Sequence, residues 1–133
     1  MFASAAYCFI MHTLTVLLAE DEPIISMEIR QILEDQGHQV IQVTTLKDLK
    51  DACAQYHPSL AILNFKQKEN GDGMSIAQYL KEWFMLPVLF ITGALPQEIK
   101  AANNFNVSLN ILYKPFTPSQ LRRCMNSAGL LNT

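Results

Sequence analysis

The feature that most limits what this chain can fold into is a rhythm. Five short apolar runs recur along its 133 residues: Thr13 to Ala19, Gln39 to Val43, Leu60 to Leu63, Val88 to Ile91, and Asn110 to Leu112. They are mostly unbroken rather than alternating. An alternating strand hides one face, whereas an unbroken run hides both, as in a parallel sheet covered by helices on its two sides. Helical periodicity fills the gaps. Pro23 opens the first helix at a position helices tolerate, Ile25, Ile29, Ile32 and Leu33 form its stripe, and Gly37 ends it. Thr45 and Asp48 make a capping box for the second, whose apolar face is Leu46, Leu49, Cys53 and Tyr56. The third carries Ile76, Ala77, Leu80 and Phe84. The fourth runs from about Pro96 to Asn103 on Ile99 and Ala102. The fifth begins at Thr117-Pro118-Ser119-Gln120 (a cap, a first-turn proline and a capping-box glutamine) and ends near Gly129. A strand followed by a helix, five times over, predicts an α/β fold: a five-stranded, doubly wound parallel sheet with helices on both faces.

At 133 residues the chain is expected to be one domain, preceded by an apolar N-terminal extension over residues 1–12. That extension lacks a basic flank and is too short to span a bilayer. The net charge of −2 gives no reason to expect nucleic acid or an anionic membrane as partner. Cys8, Cys53 and Cys124 are odd in number and widely spaced, with no C-x-x-C pair, and Cys53 and Cys124, on the apolar stripes of predicted helices, read as small core residues of a cytoplasmic protein. His12, His38 and His57 are scattered, and none neighbours a nucleophile, so the chain is not expected to be an enzyme. No segment is expected to add a DNA-binding module.

In an open α/β sheet, sites form beyond the carboxyl ends of the strands, near the switch in strand order. Glu20, Asp21, Asn64, Thr92 and Lys114 all stand one or a few residues past a strand end. Hydroxyl, carboxylate, amide and ammonium groups gathered at one edge suit phosphate handling.

The segments that carry these residues are Val16-Leu17-Leu18-Ala19-Glu20-Asp21-Glu22-Pro23, Pro58-Ser59-Leu60-Ala61-Ile62-Leu63-Asn64, Pro87-Val88-Leu89-Phe90-Ile91-Thr92-Gly93 and Lys114-Pro115-Phe116. In this order, on this element pattern, the chain resembles a response-regulator receiver domain of two-component signalling over about Thr13 to Ala128, within a domain of residues 13–130. The resemblance implies the CheY-like, flavodoxin-like strand order 2-1-3-4-5. It implies that Glu20 and Asp21 hold Mg²⁺, that Thr92 is the switch hydroxyl, and that Lys114 pairs with the acceptor carboxylate. It implies a cis peptide at Lys114-Pro115 and a backbone carbonyl of Lys66 near the metal. A histidine kinase, phosphotransfer protein or downstream effector is the implied partner, and a homodimer is compatible with the same surface.

The chain departs from the family's pattern at two positions of the relay. Asn64 stands at the phospho-acceptor position, and an amide is no nucleophile toward phosphorus. Counting Glu20, Asp21 and Lys114, the pocket carries −1, where an aspartate at 64 would make it −2, so Mg²⁺ affinity is expected to fall. Ile111 stands where many receivers place an aromatic rotamer switch. The loop Phe65-Lys66-Gln67-Lys68-Glu69-Asn70-Gly71-Asp72-Gly73 differs too, with Lys68 where a proline is common. One expectation is that the Lys66 ammonium enters the acid pocket in place of the cation. Glu22 is expected only to favour the helix dipole.

These residues predict a single-domain pseudo-receiver that works as a protein-interaction module. Its partner face would be residues Ile99 to Phe105 and Leu121 to Met125, with Phe105, Leu109 and Tyr113 nearby. Two alternatives compete. One is a working phosphorelay receiver, with another acceptor such as Asp21, Glu69 or Asp72, or with an engineered asparagine at 64. The other is a flavodoxin-like small-molecule carrier, which Glu20-Asp21-Glu22 disfavours by repelling phosphate.

Overall fold

The computed structural model describes residues 13–67, 71–103 and 109–127. The extension over residues 1–12, with Cys8 and His12, lies outside the described residues, as do Lys68, Glu69, Phe105 and the expected helix end near Gly129.

The five apolar runs form β1 (Thr15–Ala19), β2 (Gln39–Gln42), β3 (Leu60–Asn64), β4 (Val88–Thr92) and β5 (Asn110–Tyr113). They pair in parallel in one sheet of order β2-β1-β3-β4-β5. The connecting helices are α1 (Pro23–Asp35), α2 (Leu46–Tyr56), α3 (Gly73–Phe84), α4 (Pro96–Ala102) and α5 (Pro118–Ser127). This is the flavodoxin-like receiver fold. A short antiparallel hairpin, Lys66–Gln67 against Gly71–Asp72, follows β3 and lies outside the five expected units.

Strand periodicity divides the core into two layers. Val16, Leu18, Leu60, Ile62, Leu89 and Ile91 face one side and pack with Ile29 and Leu33 of α1 and Leu121 and Met125 of α5. Leu17, Ala61, Leu63 and Phe90 face the other and pack with Leu49 and Cys53 of α2, Leu80 of α3 and Ile99 of α4. Both faces of the strands are therefore dry, which is why their sequences are unbroken apolar runs.

The caps follow the sequence closely. Thr117 Oγ1 accepts from Gln120 N–H at 3.2 Å, while Gln120 Oε1 accepts from Thr117 N–H at 2.8 Å, a reciprocal capping box. Thr45 Oγ1 accepts from Asp48 N–H at 3.1 Å. Helix α1 ends at Gly37, whose φ of 88° lies in the left-handed region that glycine adopts without strain. Two other helices end differently. His57 (φ 48°) closes α2 and Met85 (φ 52°) follows α3, both left-handed without being glycine.

Candidate functional site

Strand register brings the sequence-selected residues to one edge. Ala19 pairs with Leu63, Asn64 with Ile91, and Thr92 with Tyr113. The chain therefore leaves the sheet at nearly one level at Glu20, Asn64, Thr92 and Lys114. From β1 it turns to α1 on one face, and from the adjacent β3 to α3 on the other. The crevice between these diverging connections is the switch point of the sheet.

Glu20 is the centre of the crevice. Its side chain is only 1% exposed, so its charge must be met by protein groups. Oε1 accepts from the Glu22 backbone N–H at 3.0 Å and from Asn64 Nδ2 at 3.3 Å. Oε2 faces the Lys114 ammonium at 3.1 Å. Lys114 Nζ also donates to Glu22 Oε1 at 2.8 Å. One ammonium thus joins two carboxylates from the start of α1 to the loop after β5. Burial alone would lower the Lys114 pKa, but the hydrogen bond to Glu22 and the pairing with Glu20 outweigh it, and the ammonium is held above its ordinary value. Asp21 is half-buried beside them and borders an open crevice lined by Ser26, Met27, Gln42 and Thr44.

Thr92 is buried, and its Oγ1 accepts from the Ala94 N–H at 2.9 Å. The Lys114 N–H donates to the Thr92 carbonyl at 2.8 Å, tying the ends of β4 and β5 together. The Lys114-Pro115 peptide is cis. Ile111 is half-buried against the layer formed with α2, α3 and α4.

The Lys66 expectation is corrected. Its ammonium does not enter the acid pocket but pairs with Glu98 of α4 at 3.7 Å, with 76% of the side chain exposed. A flexible stem on an open hairpin gains more from water and a surface partner than from desolvation. The ammonium that meets the acids is that of Lys114. Two other residues carry more than their sequence context announced. Glu22 is a direct partner of Lys114, not only a helix-terminal charge. Gly73 lies so close to the chain beneath it that a Cβ there would stand 2.4 Å from the Phe65 carbonyl oxygen and 3.1 Å from that of Asn64.

Mg²⁺ takes oxygen ligands in a near-octahedral array. Here the Asn64 amide turns its NH₂ edge toward Glu20, and the second Glu20 oxygen faces an ammonium. Among the described residues no group of three or more His, Cys, Asp or Glu side chains is placed to share an ion. As arranged, these residues do not fit the metal.

The expected partner face is also redistributed. Ile99, Leu121 and Met125 are core residues, while Leu95 and Tyr113 are the large apolar side chains exposed there among the described residues. Cys53 is buried and Cys124 half-buried, and burial raises both thiol pKa values, which keeps them protonated. Among the described residues no helix is long and apolar enough to cross a membrane.

Fold and crevice together define a signal-receiving α/β module with acid, amide, hydroxyl and lysine at the switch point. The response regulator receiver domain matches residues 16–126, and the chain belongs to that family, whose members serve two-component signalling. It is 29% identical over 115 residues to the phyllosphere-induced regulator PhyR of Methylorubrum extorquens, covering 85% of this chain and 42% of that protein. It is 30% identical over 107 residues to the KDP operon transcriptional regulatory protein KdpE of Escherichia coli K12, covering 80% and 47%. The chain spans about half the length of the curated relatives it matches. Among solved structures, a response regulator receiver protein from Sinorhizobium medicae superposes with a TM-score of 0.74 at 28% identity, covering 92% of this chain and 98% of that one. The PhyR receiver domain of Erythrobacter litoralis gives 0.74 at 24% identity, covering 89% and 91%, and supports the fold.

Proposed function

We propose that this chain is a pseudo-receiver: a receiver-fold module that signals through protein contact and takes no phosphoryl group at the usual position. The observation that carries this reading is Asn64 at the end of β3, with its amide nitrogen 3.3 Å from Glu20. In a receiver this is the acceptor position. A carboxylate there attacks phosphorus, whereas an amide nitrogen whose lone pair is delocalised into the carbonyl does not. The amide instead donates to the buried acid, and Lys114 neutralises that acid from its other side. The buried acid is thus charge-paired within the protein, although its Oε2 accepts no hydrogen bond, and the Thr92 hydroxyl, bonded to Ala94 N–H, has no phosphoryl group to follow. Activity is then set by the presence of a partner rather than by a shift between two populated states. The partner is a two-component protein: a histidine kinase, a phosphotransfer protein or an effector. The module works in the cytoplasm, and a second copy is a further candidate for the same surface. Leu95 and Tyr113 offer exposed apolar contacts for either. Incubation with acetyl phosphate and Mg²⁺ tests the reading. The intact mass is expected to stay unchanged, and an adduct of phosphoryl mass would refute it.

A further inference from the structure

In this crevice an ammonium meets the buried acid Glu20, and it has a second anchor. Lys114 Nζ lies 3.1 Å from Glu20 Oε2 and 2.8 Å from Glu22 Oε1, so its shorter contact is to the outer acid. The Lys114 side chain is only 13% exposed although Glu22 is 58% exposed. A lysine held this far out of water requires nearby negative charge. Asn64 supplies none. Glu22, at the N-cap of α1, supplies the ammonium with the second carboxylate that position 64 does not provide.

We propose that Lys114 is the resident cation of this crevice and that Glu22 is the positioning residue that keeps it there, which leaves the site insensitive to divalent metal. The proposal rests on the pseudo-receiver reading, since a carboxylate at 64 would draw Lys114 away from Glu22. A divalent ion could reach Glu20 only by displacing the ammonium from both acids and turning the Asn64 amide over.

The test is thermal unfolding of the full chain with and without MgCl₂, at ionic strength matched by KCl. The wild type is expected to be flat. Lys114→Met strips the cation and leaves the Glu20 and Glu22 carboxylates without it. Its Tm is expected to rise by about 4 °C in roughly 10 mM Mg²⁺. Lys114→Arg keeps the charge and is expected to return the flat response. Glu22→Gln loosens the ammonium and is expected to respond between wild type and Lys114→Met. A Lys114→Met chain that folds only with Mg²⁺ present would also support the proposal. A wild-type rise equal to that of Lys114→Met, or no rise in that variant, would overturn it. A flat response in Glu22→Gln would remove the role assigned to Glu22, and this holds whether or not Lys114→Met can be folded. None of these readouts detects a phosphoryl adduct, so loss of the pseudo-receiver reading would show separately, in the intact mass.

Discussion

At the residue scale, the crevice is decided by which side chains can reach Glu20. Asn64 does so along a strand end, a placement fixed by the β3 register and therefore legible in the sequence. Glu22 meets Lys114 across 92 positions of chain. That contact depends on how two loops converge and on the rotamers of two long side chains, and no local pattern encodes either. The same reason explains Lys66. A lysine two residues past the site has many directions open to it, and the hairpin turns it toward Glu98. Gly73 is set by backbone proximity rather than by a positive φ, so its role was invisible without the path of Phe65. Adding a methyl there forces Gly73 away from the Phe65 and Asn64 backbone. Gly73→Ala is expected to cost about 1–3 kcal/mol of stability in urea unfolding, as for an over-packed site, and a loss below the error of the measurement would contradict this.

At the element scale, the strands and caps were the most readable features. Unbroken Leu, Ile and Val runs mark strands buried on both faces, and the Thr117/Gln120 box is made reciprocally. Helix ends were less readable where the cap is not glycine. After α3, Met85 N–H donates to the Lys81 carbonyl at 3.0 Å and Leu86 N–H to that of Leu80 at 3.2 Å, the bonding of a left-handed helix stop. The sequence places methionine, 87% exposed, in the position glycine favours. Its side chain packs little, so relief of backbone strain should dominate over lost burial. Met85→Gly is expected to raise stability by roughly 0.5–1 kcal/mol, after subtracting the entropy glycine adds to the unfolded chain. A lower urea midpoint in that variant would contradict the assignment. The hairpin after β3 escaped the sequence reading because its arms are two residues each, too short for periodicity to register.

At the scale of the whole molecule, the fold is a sheet held between two dry layers, and among the described residues His38 is a histidine buried at its edge. His38 Nδ1 accepts from the Leu14 N–H at 2.9 Å, so that nitrogen carries no proton in the folded state. Burial lowers the His38 pKa below its ordinary 6.5. The unfolded chain therefore binds more protons than the folded one below that pH, and stability falls as the solution is acidified from about pH 6.5 toward the folded pKa. Above about pH 6.5, the unfolded-state value, the contribution is level. The urea midpoint is expected to drop between pH 7.5 and pH 5.5 in the wild type. The drop should shrink in His38→Asn, whose amide oxygen can take the same N–H. Equal drops in the two proteins would contradict this. On the pseudo-receiver proposal, one atom at position 64, nitrogen in place of oxygen, separates this crevice from covalent phosphoryl chemistry. The proposal is tested most directly by treating wild type and Asn64→Asp side by side with acetyl phosphate and Mg²⁺ and measuring intact mass. A phosphoryl adduct is expected on the variant alone. An adduct on the wild type, or none on the variant, would contradict it.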